Sequence, residues 1–92
     1  MLQFAPDDEV EEMIHQQAEG ISKRYGFIDE YVRVAKTGGS YTVEIDFLLP
    51  QALAHTQVKE LDGIRQELYD HIRGEYKMWL TISFTTERKW MI

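Results

Sequence analysis

Polar and apolar residues alternate along two neighbouring stretches, one on each side of the tetrapeptide Thr37-Gly38-Gly39-Ser40. A period of two is typical of strands that bury one face, and glycines can adopt the positive φ angles that a tight hairpin requires. We therefore predict a β-hairpin that contains both turn glycines at positive φ, and on which the rest of the chain packs. The predicted buried positions are Ile28, Val32 and Val34 in the first strand and Tyr41, Val43, Ile45 and Phe47 in the second.

The stretch before the hairpin has the spacing of an amphipathic helix. Its apolar positions are Val10, Met13, Ile14, Ala18 and Ile21. Asp7 or Asp8 is placed to cap this helix, and with Asp8 as the cap Glu11 falls at the third helical position. Gly26 is placed to end the helix. We predict a helix from Asp8 to Tyr25. Because Pro6 favours an extended conformation at the residue before it, the first residues are predicted to form an extended lead-in.

A second helix and a third strand are predicted after the hairpin. Thr56 is expected to cap the helix and Gly74 to end it. Gly63 weakens the helix by about 1 kcal/mol relative to alanine, which is tolerable if close packing needs the missing side chain. The apolar face of this helix comprises Val58, Leu61, Ile64, Leu68 and Ile72. The period of two returns from Trp79 to Thr86, which predicts a closing strand. Its buried positions are Leu80, Ile82 and Phe84.

The order α-β-β-α-β predicts an α+β fold. A right-handed crossover through the second helix lays the third strand parallel to the second, which gives a mixed three-stranded sheet with both helices on one face. This is a ferredoxin-like sandwich without its first strand. The other sheet face is predicted to meet solvent or a partner subunit. Its residues are Tyr31, Arg33, Thr42, Glu44, Asp46, Thr81, Ser83 and Thr85.

Composition narrows the classes of function. The chain has 92 residues, a length that suits one small domain. Its net charge of −6 disfavours the binding of nucleic acid, because contacts with phosphates depend on basic residues. There is no cysteine, so any metal must be held by His, Asp or Glu. No apolar stretch reaches the roughly 18 residues that a membrane span requires. A divalent cation or a basic protein surface is a better binding partner for a chain of this negative charge.

Candidate chemistry is sparse. The sequence has no nucleophile, phosphate-loop or metalloprotease motif, so we do not predict an enzyme. The three histidines, His15, His55 and His71, have the surroundings of solvated side chains more than of metal ligands. Asp46 is unusual, because a carboxylate in the middle of a strand must face solvent, a cation or a neighbouring side chain.

Several of these residues together resemble a known family. The spacing of Gly26, Arg33 and Gly38, the strand from Tyr41 to Pro50 and the closing strand from Trp79 to Glu87 resemble the C-terminal cytoplasmic domain of cation diffusion facilitator transporters. The resemblance implies a metallochaperone-like αββαβ fold, residues 1–6 as a linker from a membrane domain, and residues 7–92 as the cytoplasmic domain. It further implies a homodimer on the cytoplasmic side of the membrane, joined to its own transmembrane domain and binding divalent cations such as zinc.

The ligand positions of that family can be carried over to this chain. They fall at Ile28 or Glu30, Asp46, Val58, Ser83 and Thr85. Only Asp46 and Glu30 keep a side chain that can bind metal, whereas zinc needs three or four protein ligands. We therefore predict a non-standard cation site, drawn from Asp46, His55 and His71 and shared across a dimer.

Three functions follow from these observations. The first is a dimerisation and regulatory domain of a proton-coupled divalent-cation efflux transporter. The alternative is a free-standing αββαβ protein-interaction domain with no metal role. It would bind its partner through the sheet edge or through the apolar tail Trp90-Met91-Ile92. An enzyme of acylphosphatase-like fold is the least supported of the three, because the basic cradle for phosphate is missing.

Overall fold

The structure is a computed structural model that describes residues 4–73 and 77–91. The regular elements follow in the order α1 (Phe4–Tyr25), β1 (Asp29–Thr37), β2 (Ser40–Leu48), the 3-10 helix η1 (Gln51–Leu53), α2 (Val58–Arg73), β3 (Met78–Thr85) and the 3-10 helix η2 (Arg88–Met91). The α-β-β-α-β order and the α+β class are as predicted.

The sheet has three strands in the order β1-β2-β3. β1 and β2 are antiparallel, with Thr37 opposite Ser40 next to the turn. β2 and β3 are parallel, from Tyr41 opposite Met78 to Leu48 opposite Thr85. The predicted mixed sheet is therefore confirmed, and β2 is its central strand.

The turn between β1 and β2 uses its two glycines differently. Gly38 has a φ of +61°, whereas Gly39 does not adopt a positive φ. A two-residue turn of type II′ needs a positive φ only at its first central residue. The expectation of two positive φ angles is thus wrong for Gly39, while the hairpin itself forms as predicted.

The core lies between the sheet and the two helices. All four predicted residues of β2 are buried, and they pack against the apolar faces of both helices. The helical members of this core are Val10, Ile14, Ala18, Ile21, Ile64, Leu68 and Ile72. At one end Phe47 lies between two other rings, with centroid distances of 5.3 Å to Phe27 and 5.6 Å to Phe84.

α1 starts earlier than predicted. It begins at Phe4, so Asp7 and Asp8 both lie inside the helix and neither caps it. The predicted extended lead-in is wrong for residues 4–6, and its residues 1–3 lie outside the described residues. Pro6 falls in the first turn, where backbone N–H groups have no partner within the helix, so a proline is tolerated there. The end is as predicted, because Gly26 has a φ of +75° and the N–H of Phe27 donates to the carbonyl oxygen of Ser22.

The start of α2 also differs by one residue. Gln57 takes the capping position, because its carbonyl accepts from the N–H groups of Glu60 and Leu61. The Glu60 carboxylate accepts in return from the N–H of Gln57. The predicted cap, Thr56, donates its hydroxyl to the Leu53 carbonyl instead. The predicted stop, Gly74, lies outside the described residues.

Two predicted core residues are exposed. Val58 is 70% exposed at the start of α2, and Ile28 is 59% exposed in the bend before β1. Both stand at an element boundary, where the periodicity of the element does not yet constrain the side chain. Their exposure corrects the predicted core without altering the fold.

Candidate functional site

One face of the sheet is not covered by the helices, and we call it the open face. Because alternate residues of a strand point to opposite sides, the buried residues of β2 direct the intervening residues to this face. The open face comprises Tyr31, Arg33, Thr42, Glu44, Asp46, Trp79, Thr81 and Ser83. Trp79 is 74% exposed, which leaves a large ring in solvent.

The carboxylate of Asp46 lies in the middle of the open face. The residue is only 8% exposed, and its Oδ2 accepts from the Arg33 Nη2 at 3.4 Å. Burial raises the pKa of Asp46, and the neighbouring Glu44 carboxylate acts in the same direction. The positive charge of Arg33 and a hydrogen bond from Ser83 oppose this increase in pKa. Asp46 is therefore a buried carboxylate whose counter-charge comes from the protein.

Arg33 is held by three groups at once. Its Nη2 lies 2.7 Å from the Glu44 Oε1, in addition to its contact with Asp46. The guanidinium carbon lies 5.3 Å from the centroid of the Tyr31 ring, within the range of a cation-π interaction. The Nε atom is buried without a hydrogen-bond partner. These contacts fix the guanidinium directly over the two carboxylates of β2.

The three predicted ligands lie on separate elements. Asp46 is on the open face, and His55 is in the turn between η1 and α2. His71 is on α2, exposed, with its Nδ1 2.7 Å from the Glu67 carbonyl oxygen. α2 packs on the other side of the sheet from Asp46, so one protomer does not bring these ligands together. Their joint role in metal binding stays a prediction.

Other carboxylates do not join Asp46 to form a group of metal ligands. Glu30 shares the side of β1 that carries Val32 and Val34, so it lies across the sheet from Asp46. In the part of the chain that the structure describes, no three or more His, Cys, Asp or Glu side chains are grouped as a metal site would require.

One end of the open face is covered by η2, which the sequence pattern did not predict. Arg88 Nη1 lies 2.9 Å from Asp29 Oδ2, which attaches η2 to the start of β1. Leu48 and Met91 are both buried, although neither belongs to the main core, and η2 contacts β2. The signal that could have indicated η2 is Leu48, an apolar residue at a position that should face solvent. Of the predicted apolar tail, Met91 is buried, Trp90 is exposed and Ile92 lies outside the described residues.

A second concave surface, a groove on the helical side, is lined mainly by apolar side chains. It lies between the end of α1, η1 and α2, with a volume of about 440 Å³. Its lining is mostly apolar and includes Phe27, Leu53, Leu61 and Ile64. A Cβ added at Gly63, which borders the groove, would meet nothing within 4 Å, so close packing does not need the missing side chain at this position.

The fold defines a class of structure: an αββαβ sandwich with two helices on one side of a mixed three-stranded sheet. A solved structure of this class is the metal-bound C-terminal domain of the CzcD transporter from Thermotoga maritima. It matches with a TM-score of 0.58 and 15% sequence identity over 92% of this chain and 93% of that chain. At this identity the likeness shows a shared fold.

Comparisons of sequence add no relative. No protein-family model matches the chain, and no curated protein matches it either. Among the described residues, neither helix combines the length and the apolar run that a membrane span requires.

Proposed function

We propose that this chain is the cytoplasmic regulatory and self-associating domain of a divalent-cation efflux transporter. The observation that carries the proposal is the likeness, over nearly the whole of both chains, to the C-terminal domain of the CzcD transporter. The net charge of −6 supports it, because an acidic surface is compatible with divalent cations. No motif for catalysis competes with this function.

In this proposal the domain acts through a contact between two copies of the chain. The open face, with its exposed Trp79 and Tyr31, is the surface that a second copy would cover. A contact between two cytoplasmic domains biases the relative orientation of the membrane domains to which they are joined. Any ligand that binds one orientation more tightly then shifts the population of transporter states. Ion translocation itself is the task of the membrane domain.

The metal-binding part of the function needs two protomers. Zinc is held by three or four ligands at about 2.0 to 2.3 Å, and the described part of one protomer groups no such set. The donors present therefore do not fit a zinc site within one chain. The predicted site of Asp46, His55 and His71 would form only where two copies meet.

Two measurements test the proposed function. The parent gene is expected to encode six membrane spans upstream of this domain, and a gene without them would contradict the transporter assignment. Light scattering on the 92-residue chain is expected to show a concentration-dependent dimer. A chain that stays monomeric at the highest soluble concentration would remove self-association from the proposal.

The alternative function is a free-standing module that binds another protein. The observation in its favour is the exposure of Trp79 and Trp90, since large exposed aromatic side chains are typical of interfaces. The two functions differ in their partner. A dimer buries these rings against a second copy, whereas an interaction module leaves them exposed until a different protein binds.

A further inference from the structure

We propose that Arg33 supplies to the open face, from within each protomer, the positive charge that a bound divalent cation would otherwise bring. The guanidinium occupies the cation position next to Asp46, so self-association of this domain does not respond to the concentration of metal. This inference rests on the self-association part of the proposed function, and it replaces the cation site predicted from Asp46, His55 and His71.

The geometry places one atom of Arg33 at the point where a cation would bind. Nη2 lies 2.7 Å from Glu44 Oε1 and 3.4 Å from Asp46 Oδ2. The two carboxylates belong to alternate residues of β2 and so share one face, and Arg33 stands directly across from Glu44 on β1. A metal ion that bridged both carboxylates at about 2.0 to 2.6 Å from each oxygen would have to displace this nitrogen.

The arginine is also held against displacement. Its guanidinium lies over the Tyr31 ring, which favours a planar delocalised cation. Asp46 is buried, and Arg33 is the positive charge that compensates its carboxylate in the folded protein. A metal ion could replace Arg33 only by moving a charged side chain away from two carboxylates and a ring. Since arginine stays protonated at all physiological pH values, the charge at this point is permanent.

The atoms under Arg33 indicate which cation the uncovered position would take. Glu44 and Asp46 offer carboxylate oxygens, and Ser83 adds a hydroxyl that bonds Asp46. A set made only of oxygen donors suits Mn²⁺ or Ca²⁺ better than Zn²⁺, which favours imidazole and thiolate. Removal of Arg33 is therefore expected to create Mn²⁺ binding where the unaltered chain has little.

Calorimetric titration with MnCl₂ and with ZnCl₂ tests the inference on the whole chain. Arg33→Met is expected to bind Mn²⁺ at least about tenfold more tightly than the unaltered chain, and the gain is expected to vanish in the double variant Arg33→Met with Asp46→Asn. Arg33→Lys keeps a positive charge and should not gain binding. Arg88→Met is the matched control, because it removes the same charge from a pair that has only one carboxylate, Asp29.

Asp46→Asn alone keeps the test decisive if Arg33→Met does not fold, as judged by circular dichroism. The inference requires that this variant bind both metals as the unaltered chain does. Loss of cation binding in Asp46→Asn would overturn the inference, and so would equal Mn²⁺ affinity in the unaltered chain and in a folded Arg33→Met.

Self-association is measured separately, by light scattering with MnCl₂, with ZnCl₂ and with a chelator. The dissociation constant of the dimer is expected to agree within about twofold under the three conditions. Metal-dependent tightening that requires Asp46 would overturn the role of Arg33 while supporting the proposed function. If every variant stays monomeric, the proposed self-association fails, and the calorimetric titration still decides whether Arg33 occupies the cation position.

Discussion

At the scale of single residues, the two faces of β2 have opposite energetic roles. Residues on the inner face stabilise the fold by removing apolar surface from water. Asp46, on the open face, is buried as well, but its burial disfavours the charged form of the carboxyl. The positive charge of Arg33 opposes this effect. A strand in the centre of a sheet can thus contribute alternately to stability and to a polar site.

Phe47 is expected to be among the most sensitive positions. It is fully buried and contacts the rings of Phe27 and Phe84, so Phe47→Ala should destabilise the protein by about 3 to 5 kcal/mol through lost contacts and a cavity. Urea unfolding followed by circular dichroism measures this loss. Thr42→Ala on the exposed side of the same strand is the control and should change stability by less than about 0.5 kcal/mol. Equal effects of the two variants would contradict the assignment of the faces.

The ion pair between Asp29 and Arg88 predicts a small dependence of stability on pH. The Arg88 side chain and the Glu30 N–H hold the pKa of Asp29 below its usual value. Because the folded-state pKa is the lower one, the pair stabilises the folded state above the unfolded pKa of about 3.9. This contribution is lost as the pH falls through the folded-state pKa.

Arg88→Met should therefore lower the free energy of unfolding near neutral pH by less than about 1 kcal/mol, since the pair is exposed. The difference is expected to shrink as the pH falls through the folded-state pKa of Asp29 and to vanish in acid, where the carboxyl is protonated in both states. Urea unfolding of both proteins at the two pH values measures it. A difference that stays constant with pH would show that Arg88 acts through packing and not through its charge.

At the scale of elements, much of the architecture was predictable because local rules and the global fold agree. The two-residue turn sets the register of the hairpin, so counting back from it places Arg33 opposite Glu44. Element boundaries were less predictable, since Thr56 and Gln57 compete for one capping role and the choice between them depends on their hydrogen bonds to Leu53 and Glu60. η2 was not predicted: Leu48 indicates that something covers its position, but the short 3-10 helix that does so depends on contacts with a distant strand.

The candidate site was predictable only in part. The period of two placed Asp46 on the open face, where it is found. The fixed position of Arg33 depends on Tyr31, Glu44 and Asp46 together, and alternation alone assigns a face without assigning a partner. The separation of His71 from Asp46 follows from the packing of α2 on the opposite side of the sheet, while His55 lies in the turn before α2. Such distances belong to the tertiary structure.

Gly63 offers a stabilising substitution within α2. A Cβ at this position meets no atom within 4 Å, and the residue has an ordinary helical conformation. Gly63→Ala is therefore expected to stabilise the protein by about 0.5 to 1 kcal/mol, because alanine loses less backbone entropy on folding. Thermal unfolding measures the shift. Gly26→Ala is the control and should destabilise, because a φ of +75° is unfavourable for alanine; destabilisation by Gly63→Ala would indicate a contact at the groove.

At the scale of the whole molecule, the acidic chain combines a helix-covered core with a sheet face that stays open. A domain of this size has a limited core. The open face, with an exposed tryptophan next to a charged cluster, adds little to the stability of the fold and is suited to contact with another protein chain. The proposed dimer and the role of Arg33 both concern this face. Experiments can test the two separately, because the dimer depends on the exposed area of the open face and the role of Arg33 depends on the buried charge of Asp46.

Trp79 is the residue that separates association from folding. It is 74% exposed on the open face, so Trp79→Ala should change the free energy of unfolding of the monomer by less than about 0.5 kcal/mol. If the open face is the contact between two copies, the same variant should weaken the dimer by about tenfold or more, since a tryptophan buried at an interface contributes strongly to binding. Sedimentation over a range of concentrations measures this change. Val58→Ala, on α2 and 70% exposed, is the matched control and should leave association unchanged; weakening by Val58→Ala with no effect of Trp79→Ala would move the contact to the helical side.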